Sequence, residues 1–149
     1  MSKSKTHISK NNISLIRIKK NYDYVQILYE ILLKRRKNIS HISMPNYEQH
    51  INFVLNHPYR IWFIVKYNEK IIGTAYLLKN NSIGINVLEN QKIVIPLIIT
   101  QILKKYKPLK AIPSIRTESF DFNLSPSNKD FISILENLGA ELSQVTYTI

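Results

Sequence analysis

The sequence predicts an α+β fold, or α/β, built on a mixed and mostly antiparallel twisted sheet flanked by about four helices. Three observations carry this expectation. Apolar residues recur at helical spacing over four stretches, three neighbouring strand-like runs are joined by short Asn-bearing turns, and the element order alternates along the chain. At 149 residues with 44% hydrophobic side chains the chain is one domain of ordinary size with enough apolar mass for a single core.

Residues 14–19 read as a short first strand. Over 22–36, Val25, Leu28, Tyr29, Leu32 and Leu33 recur at helical spacing, and 38–45 is a loop. A second helix over 46–55 places Tyr47, His50, Ile51 and Val54 on one face and closes at His57-Pro58. Strands follow at 60–67, 70–79 and 82–88, joined by Asn68-Glu69 and Asn80-Asn81, which suit hairpin turns. A third helix is expected over 96–106, with Pro96 at its first position, where a missing N–H costs nothing. Pro108 ends it, and 110–118 is a loop. Residues 119–124 read as a fifth strand, 127–138 as the last helix with Gly139 as its stop and Asn128 as its N-cap, and 144–149 as a closing strand.

Composition narrows the chemistry. There is no cysteine, which removes disulfides, thiolate metal sites and thiol nucleophiles. Histidines 7, 41, 50 and 57 have no carboxylate at ligand spacing, so no metal site is expected. No Gly-x-Ser-x-Gly, Walker or dinucleotide motif occurs. No apolar run is long enough to span a membrane, and a cytoplasmic location is expected. The net charge of +11 is concentrated in residues 1–40, and residues 1–12 are expected to form a basic flexible tail ahead of one domain over 13–149. The run Lys34-Arg35-Arg36-Lys37 sits where cations favour a helix C-terminus. A nucleic-acid role rests on charge alone, because the tyrosines and Trp62 follow helix and strand faces.

The residues around the fourth strand and the last helix carry a resemblance. Ile83-Gly84-Ile85-Asn86-Val87-Leu88 is a strand leading into Gln91-Lys92-Ile93-Val94-Ile95-Pro96 and the apolar run 97–103. Downstream, Asn128 is followed three residues later by Phe131, and Leu138-Gly139 closes the helix. This pattern resembles the GNAT superfamily of acyl-CoA-dependent N-acyltransferases over residues 13–149. There the loop after the fourth strand reads Gln or Arg, two residues, Gly, one residue, Gly or Ala, and the following helix N-terminus holds the CoA pyrophosphate. Gln91 occupies the first position, Val94 the first glycine and Pro96 the second.

The resemblance implies that acetyl-CoA, or another acyl-CoA, is co-substrate. It would be held at Val87, Leu88, Gln91, Lys92, Ile93, Val94, Ile95, Leu97 and Asn128, with a backbone N–H at or near Leu88 polarising the thioester carbonyl. Residues 46–50 and 57–62 resemble members that acylate amino sugars or small amines, which points to a primary amine on a small molecule, amino sugar or peptide as acceptor. Asn86, Tyr47 and Trp62 would face it.

Two departures matter. Glycines let a backbone come close to phosphate at positive φ, whereas Val94 brings a branched side chain and Pro96 removes one donor. The family's Tyr seven residues after the motif Asn is Leu135 here, and the carboxylate of its fourth strand is Asn86. His50 and His41 remain as candidate bases. The sequence therefore leaves two readings: an N-acetyltransferase, or a catalytically inactive relative kept as a binding module.

Overall fold

The structure, a computed structural model, describes residues 12–37 and 44–149. His41 and residues 1–11 of the expected basic tail lie outside them. In chain order the elements are β1 (Ile13–Arg17), a 3-10 turn (Tyr22–Tyr24), α1 (Val25–Lys37), α2 (Tyr47–Asn56), β2 (Ile61–Tyr67), β3 (Lys70–Leu77), β4 (Ile83–Val87), α3 (Gln91–Lys105) and α4 (Lys129–Asn137). The four strands form one antiparallel sheet in the order β1-β2-β3-β4, flanked by the four helices.

Turn chemistry sets this meander. Asn68 and Glu69 both take positive φ, 48° and 67°, as the tight β2–β3 hairpin requires. The β3–β4 connection is a three-residue loop, Lys79–Asn81. Asn81 N–H donates to Leu78 O, Leu78 N–H donates to Ser82 O, and Asn81 is left-handed at φ 71°. Asn81 is fully buried and also holds the next loop: its Nδ2 donates to Leu109 O and Thr117 O, and its Oδ1 accepts from Leu109 N–H.

The sheet separates two apolar layers. Ile61, Phe63, Val65, Ala75, Leu77, Ile83, Ile85 and Val87 pack with Val94, Ile95, Ile98, Ile99 and Ile102 of α3 and with Phe131 and Ile134 of α4. Ile18, Trp62 and Ile64 pack with Val25, Leu28 and Ile31 of α1 and Val54 of α2. Along β2, Ile61, Phe63 and Val65 alternate with Trp62 and Ile64, so successive side chains enter the two layers in turn. α2 starts with a reciprocal cap: Asn46 Oδ1 accepts from Gln49 N–H, and Gln49 Oε1 accepts from Asn46 N–H. α4 stops at Gly139, φ 91°, where Ala140 N–H reaches back to Leu135 O.

Four expectations are corrected. α3 begins at Gln91, five residues before Pro96. With no glycine between 91 and 95, nothing interrupts the helix, and burial of Val94 and Ile95 extends the apolar stripe of Ile98, Ile99 and Ile102 back to its first turn. Residues 119–124 do not form a regular strand. Phe120, Phe122 and Leu124 alternate toward the core as a strand would, but the backbone meets the sheet only at the parallel bridge Ser82–Asp121. The closing segment 144–149 pairs with no strand among the described residues, and Val145 and Tyr147 are 61% and 88% exposed. Finally, Asn128 precedes α4 without a side-chain capping bond.

Candidate active site

The backbone of β4 sets the geometry. Leu88 N–H donates to Ile72 O at 2.9 Å, so by alternation the even-numbered residues of β4 bond to β3 and the odd-numbered ones face away. The first outward group, Ile83 N–H, donates to Asp121 O at 2.8 Å. Pairing then ends, and the outward N–H groups of Ile85 and Val87 have no hydrogen-bond partner among the described residues. Leu88, expected to polarise a carbonyl, is thus occupied by the sheet. Val87 is the residue whose amide stands free beside the end of the strand.

A cavity of about 400 Å³ opens at this divergence. From the α3–α4 side it is lined by Ile85, Val87, Gln91, Ile95, Asn128 and Phe131, and from the α1–α2 side by Leu28, Ile31, His50, Phe53, Tyr59, Trp62 and Tyr76. Thr74 and Asn86, a cross-strand pair, lie between. At one margin Gln91 Nε2 donates to Val87 O, joining the start of α3 to the end of β4.

The start of α3 offers few amides. Asn90 is left-handed at φ 55°, and its carbonyl accepts from both Ile93 and Val94 N–H, at 3.1 and 2.9 Å. Of the first turn, Gln91 and Lys92 N–H stay unpaired. No carboxylate sits in that turn, so the positive end of the helix dipole is uncompensated. Pro96, inside the helix, has no N–H to give to the carbonyl of Lys92.

On the other side an aromatic wall is locked together. Tyr59 and Tyr76 stack with centroids 4.4 Å apart and planes 9° apart, and Trp62 meets Tyr59 edge-on at 5.2 Å and Phe53 at 5.7 Å. Tyr76 has room because Gly84 lies opposite it across the strands; a Cβ at Gly84 would fall inside the Tyr76 ring. Burial, reinforced by Tyr76, pushes the Tyr59 hydroxyl up to about 12 against the opposing pull of Arg35. His50 is buried, with Nε2 2.8 Å from Val25 O. A carbonyl only accepts, so Nε2 carries hydrogen, and in the neutral ring Nδ1 is left as acceptor.

Eight of the residues expected at the site therefore converge on one cavity: His50, Trp62, Asn86, Val87, Leu88, Gln91, Ile95 and Asn128. Others do not line it. Tyr47 is exposed on α2 and donates to Gln26 Oε1, Lys92 and Ile93 sit exposed on the first turn of α3, Val94 is fully buried in the core, and Leu97 is half-buried. Sequence reasoning missed Arg35, Phe53, Tyr59, Thr74 and Tyr76. The one available signal was Gly84, since a glycine within a strand marks close approach by another group. Among the described residues no group of histidines and carboxylates is placed to hold a metal ion, and no helix is long and apolar enough to cross a membrane.

No family model and no curated protein matches the sequence. Solved structures do. The Campylobacter jejuni N-acetyltransferase PseH in complex with acetyl coenzyme A superposes with a TM-score of 0.61 at 15% identity, over 91% of this chain and 92% of that one. An integron cassette protein from the mobile metagenome of V. cholerae gives 0.61 at 15% identity, over 92% and 91%. The fold is that of the GNAT acyltransferases. The aminoglycoside N-acetyltransferase AAC(6')-Iy in complex with CoA gives a TM-score of 0.58 at 13% identity, over 93% and 94%. The unpaired edge of β4 lies where that strand and residues 119–124 part.

Proposed function

We propose that the chain is an N-acyltransferase that moves an acetyl group from acetyl-CoA to the primary amine of a small molecule. The observation that carries this reading is the parting of β4 from residues 119–124 beyond the Ser82–Asp121 bridge, which leaves the Val87 amide free on the wall of a two-sided cavity. A thioester arm fits such an edge, because an unpaired strand edge offers backbone groups to an extended ligand. Solved structures of the same fold that hold acetyl coenzyme A or CoA support the choice of co-substrate.

Val87 N–H is the donor placed for an oxyanion. The neutral amine attacks the thioester carbonyl, loses one proton as the amide forms, and expels the sulfur as a thiolate when the C–S bond breaks. His50 Nδ1 accepts that proton directly or through a water, with Nε2–H on Val25 O fixing the ring. The diphosphate would lie at the unpaired Gln91 and Lys92 amides, where the dipole of α3 and the Lys92 charge favour an anion.

A second reading has its own observation. Residues 91–95 are helical, two of the amides a phosphate would use are bonded to Asn90 O, and Val94 and Ile95 are in the core. This favours a GNAT-fold binding module that has lost CoA. Calorimetric titration with acetyl-CoA separates the two. The transferase reading expects micromolar affinity and thiol release with an amine acceptor, whereas no heat and no thermal shift at millimolar acetyl-CoA selects the module.

A further inference from the structure

The α1–α2 side of the cavity carries a net positive charge. Arg35 of α1 is the one fully charged side chain lining the cavity among the described residues, and no Asp or Glu lines it. Residues 38–43, the rest of the connection between α1 and α2, contain no carboxylate either. Arg35 is half-buried and has no ion pair or hydrogen bond among the described residues, where the one salt bridge joins Lys70 to Glu89. Its neighbour Tyr59 is held in the neutral form, so it supplies no counter-charge.

A polycationic amine entering this space would give up water, meet a like charge and find no carboxylate. That is unfavourable on both counts. The guanidinium instead offers a planar fork that matches a carboxylate or phosphate, and the stacked Tyr59–Tyr76 pair with Phe53 and Trp62 offers a flat apolar wall.

Resting on the transferase reading, we propose that the acceptor is an amine that also carries an oxyanion, bound by Arg35, and a ring or apolar face that lies on the Tyr59–Tyr76–Trp62 wall. Aminoglycoside-like polycations are excluded by the same charge balance. Binding of the acceptor by Arg35 and the aromatic wall has a readout independent of turnover.

The test uses matched probes on the full chain: glucosamine 6-phosphate against glucosamine for a phosphate, tryptophan against tryptamine for a carboxylate, and kanamycin as polycation. Binding is measured by calorimetry and acetyl transfer by thiol release. At low salt, the anionic member of at least one pair is expected to bind about tenfold or more tightly than its partner. The pair that responds tells phosphate from carboxylate. Arg35→Ala should erase the preference, Arg35→Lys should retain part of it by keeping the charge without the fork, and circular dichroism shows that both variants fold.

Absence of a preference in both pairs, or binding of kanamycin as tight as that of the better anionic probe, overturns the proposal. So does a preference that survives in Arg35→Ala, or failure of both anionic probes to bind at millimolar concentration. Binding of an anionic probe without acetyl transfer to any amine would sink the transferase reading and leave the acceptor chemistry standing. Transfer to kanamycin in preference to the anionic amines would do the reverse.

Discussion

Ser82 Oγ donates to Asp121 Oδ1 at 2.6 Å, at the one place where β4 and the 119–124 segment touch through their backbones. Asn123 Nδ2 donates to the same Ser82 oxygen at 3.0 Å, so the serine hydroxyl is tied from both directions. These bonds pin the apex of the divergence whose open side is the cavity.

Ser82→Ala should therefore lower stability by about 1–3 kcal/mol, because a buried hydroxyl donating to a carboxylate is lost and Asn123 is left without its acceptor. Thermal unfolding should register a drop of several degrees, about 2–4 °C per kcal/mol for a chain of this size. A variant with unchanged melting would show that the apex is not held by this pair.

Asn81→Ala should be worse. It removes three hydrogen bonds from a fully buried side chain, leaves Leu109 and Thr117 backbone groups unpaired, and places alanine at φ 71°. The expected loss is about 3 kcal/mol or more in urea unfolding. Asn81→Asp should recover only part, since its carboxylate can accept from Leu109 N–H but cannot donate.

Gly84→Val would push its side chain into the ring of Tyr76, which cannot move aside without leaving Tyr59. Near-ultraviolet circular dichroism should lose the signal of the stacked tyrosines, and any ligand that lies on this wall should bind at least several-fold more weakly. Overpacking of this kind costs about 1–3 kcal/mol.

His57 gives a pH dependence. Burial, with a further push from Lys20, holds its imidazole below the usual 6.5, and Nδ1 is buried without a partner. The unfolded chain therefore takes up the proton first. Stability is full above pH 6.5 and falls as pH drops from there toward the depressed folded value. Urea unfolding at pH 7.5 and 5.5 should show the loss, and His57→Phe should flatten it. A slope unchanged in His57→Phe would assign the dependence to another group.

Asn128 separates scaffold from site. It makes no capping bond to α4 and lines the cavity, so Asn128→Ala should change stability by less than about 0.5 kcal/mol. On the transferase reading, calorimetry should show several-fold weaker acetyl-CoA binding. A large stability loss would return the residue to an ordinary capping role.

Much of the fold was legible in the sequence for local reasons. The Asn-bearing turns, the three strands they join and the Gly139 stop each report on a few adjacent residues whose preferences agree with the final structure. The misses also have local causes. Residues 91–95 looked like a loop because the resemblance put glycines there, whereas a run of Ile, Val and Ile without glycine continues the buried face of α3. Residues 119–124 and 144–149 carry strand periodicity, but periodicity reports which side chains share a face and not whether a neighbouring backbone lies within hydrogen-bond reach. Eight of the expected site residues met in one cavity, while Arg35 and Tyr76 went unseen because they look like ordinary surface and strand residues until α1 and β3 are placed against each other.

The sequence by itself determined the antiparallel meander, the positions of its turns, the absence of thiol chemistry and the loss of a glycine loop after β4, since each follows from what a given side chain permits its own backbone to do. Tertiary structure alone decided that the outer edge of β4, away from β3, stays unpaired beyond Ile83, that Leu88 is spent on Ile72 while Val87 is free, and that a lone guanidinium faces an aromatic wall. These depend on the separation and relative charge of groups tens of residues apart, which only the packing of one element on another can fix.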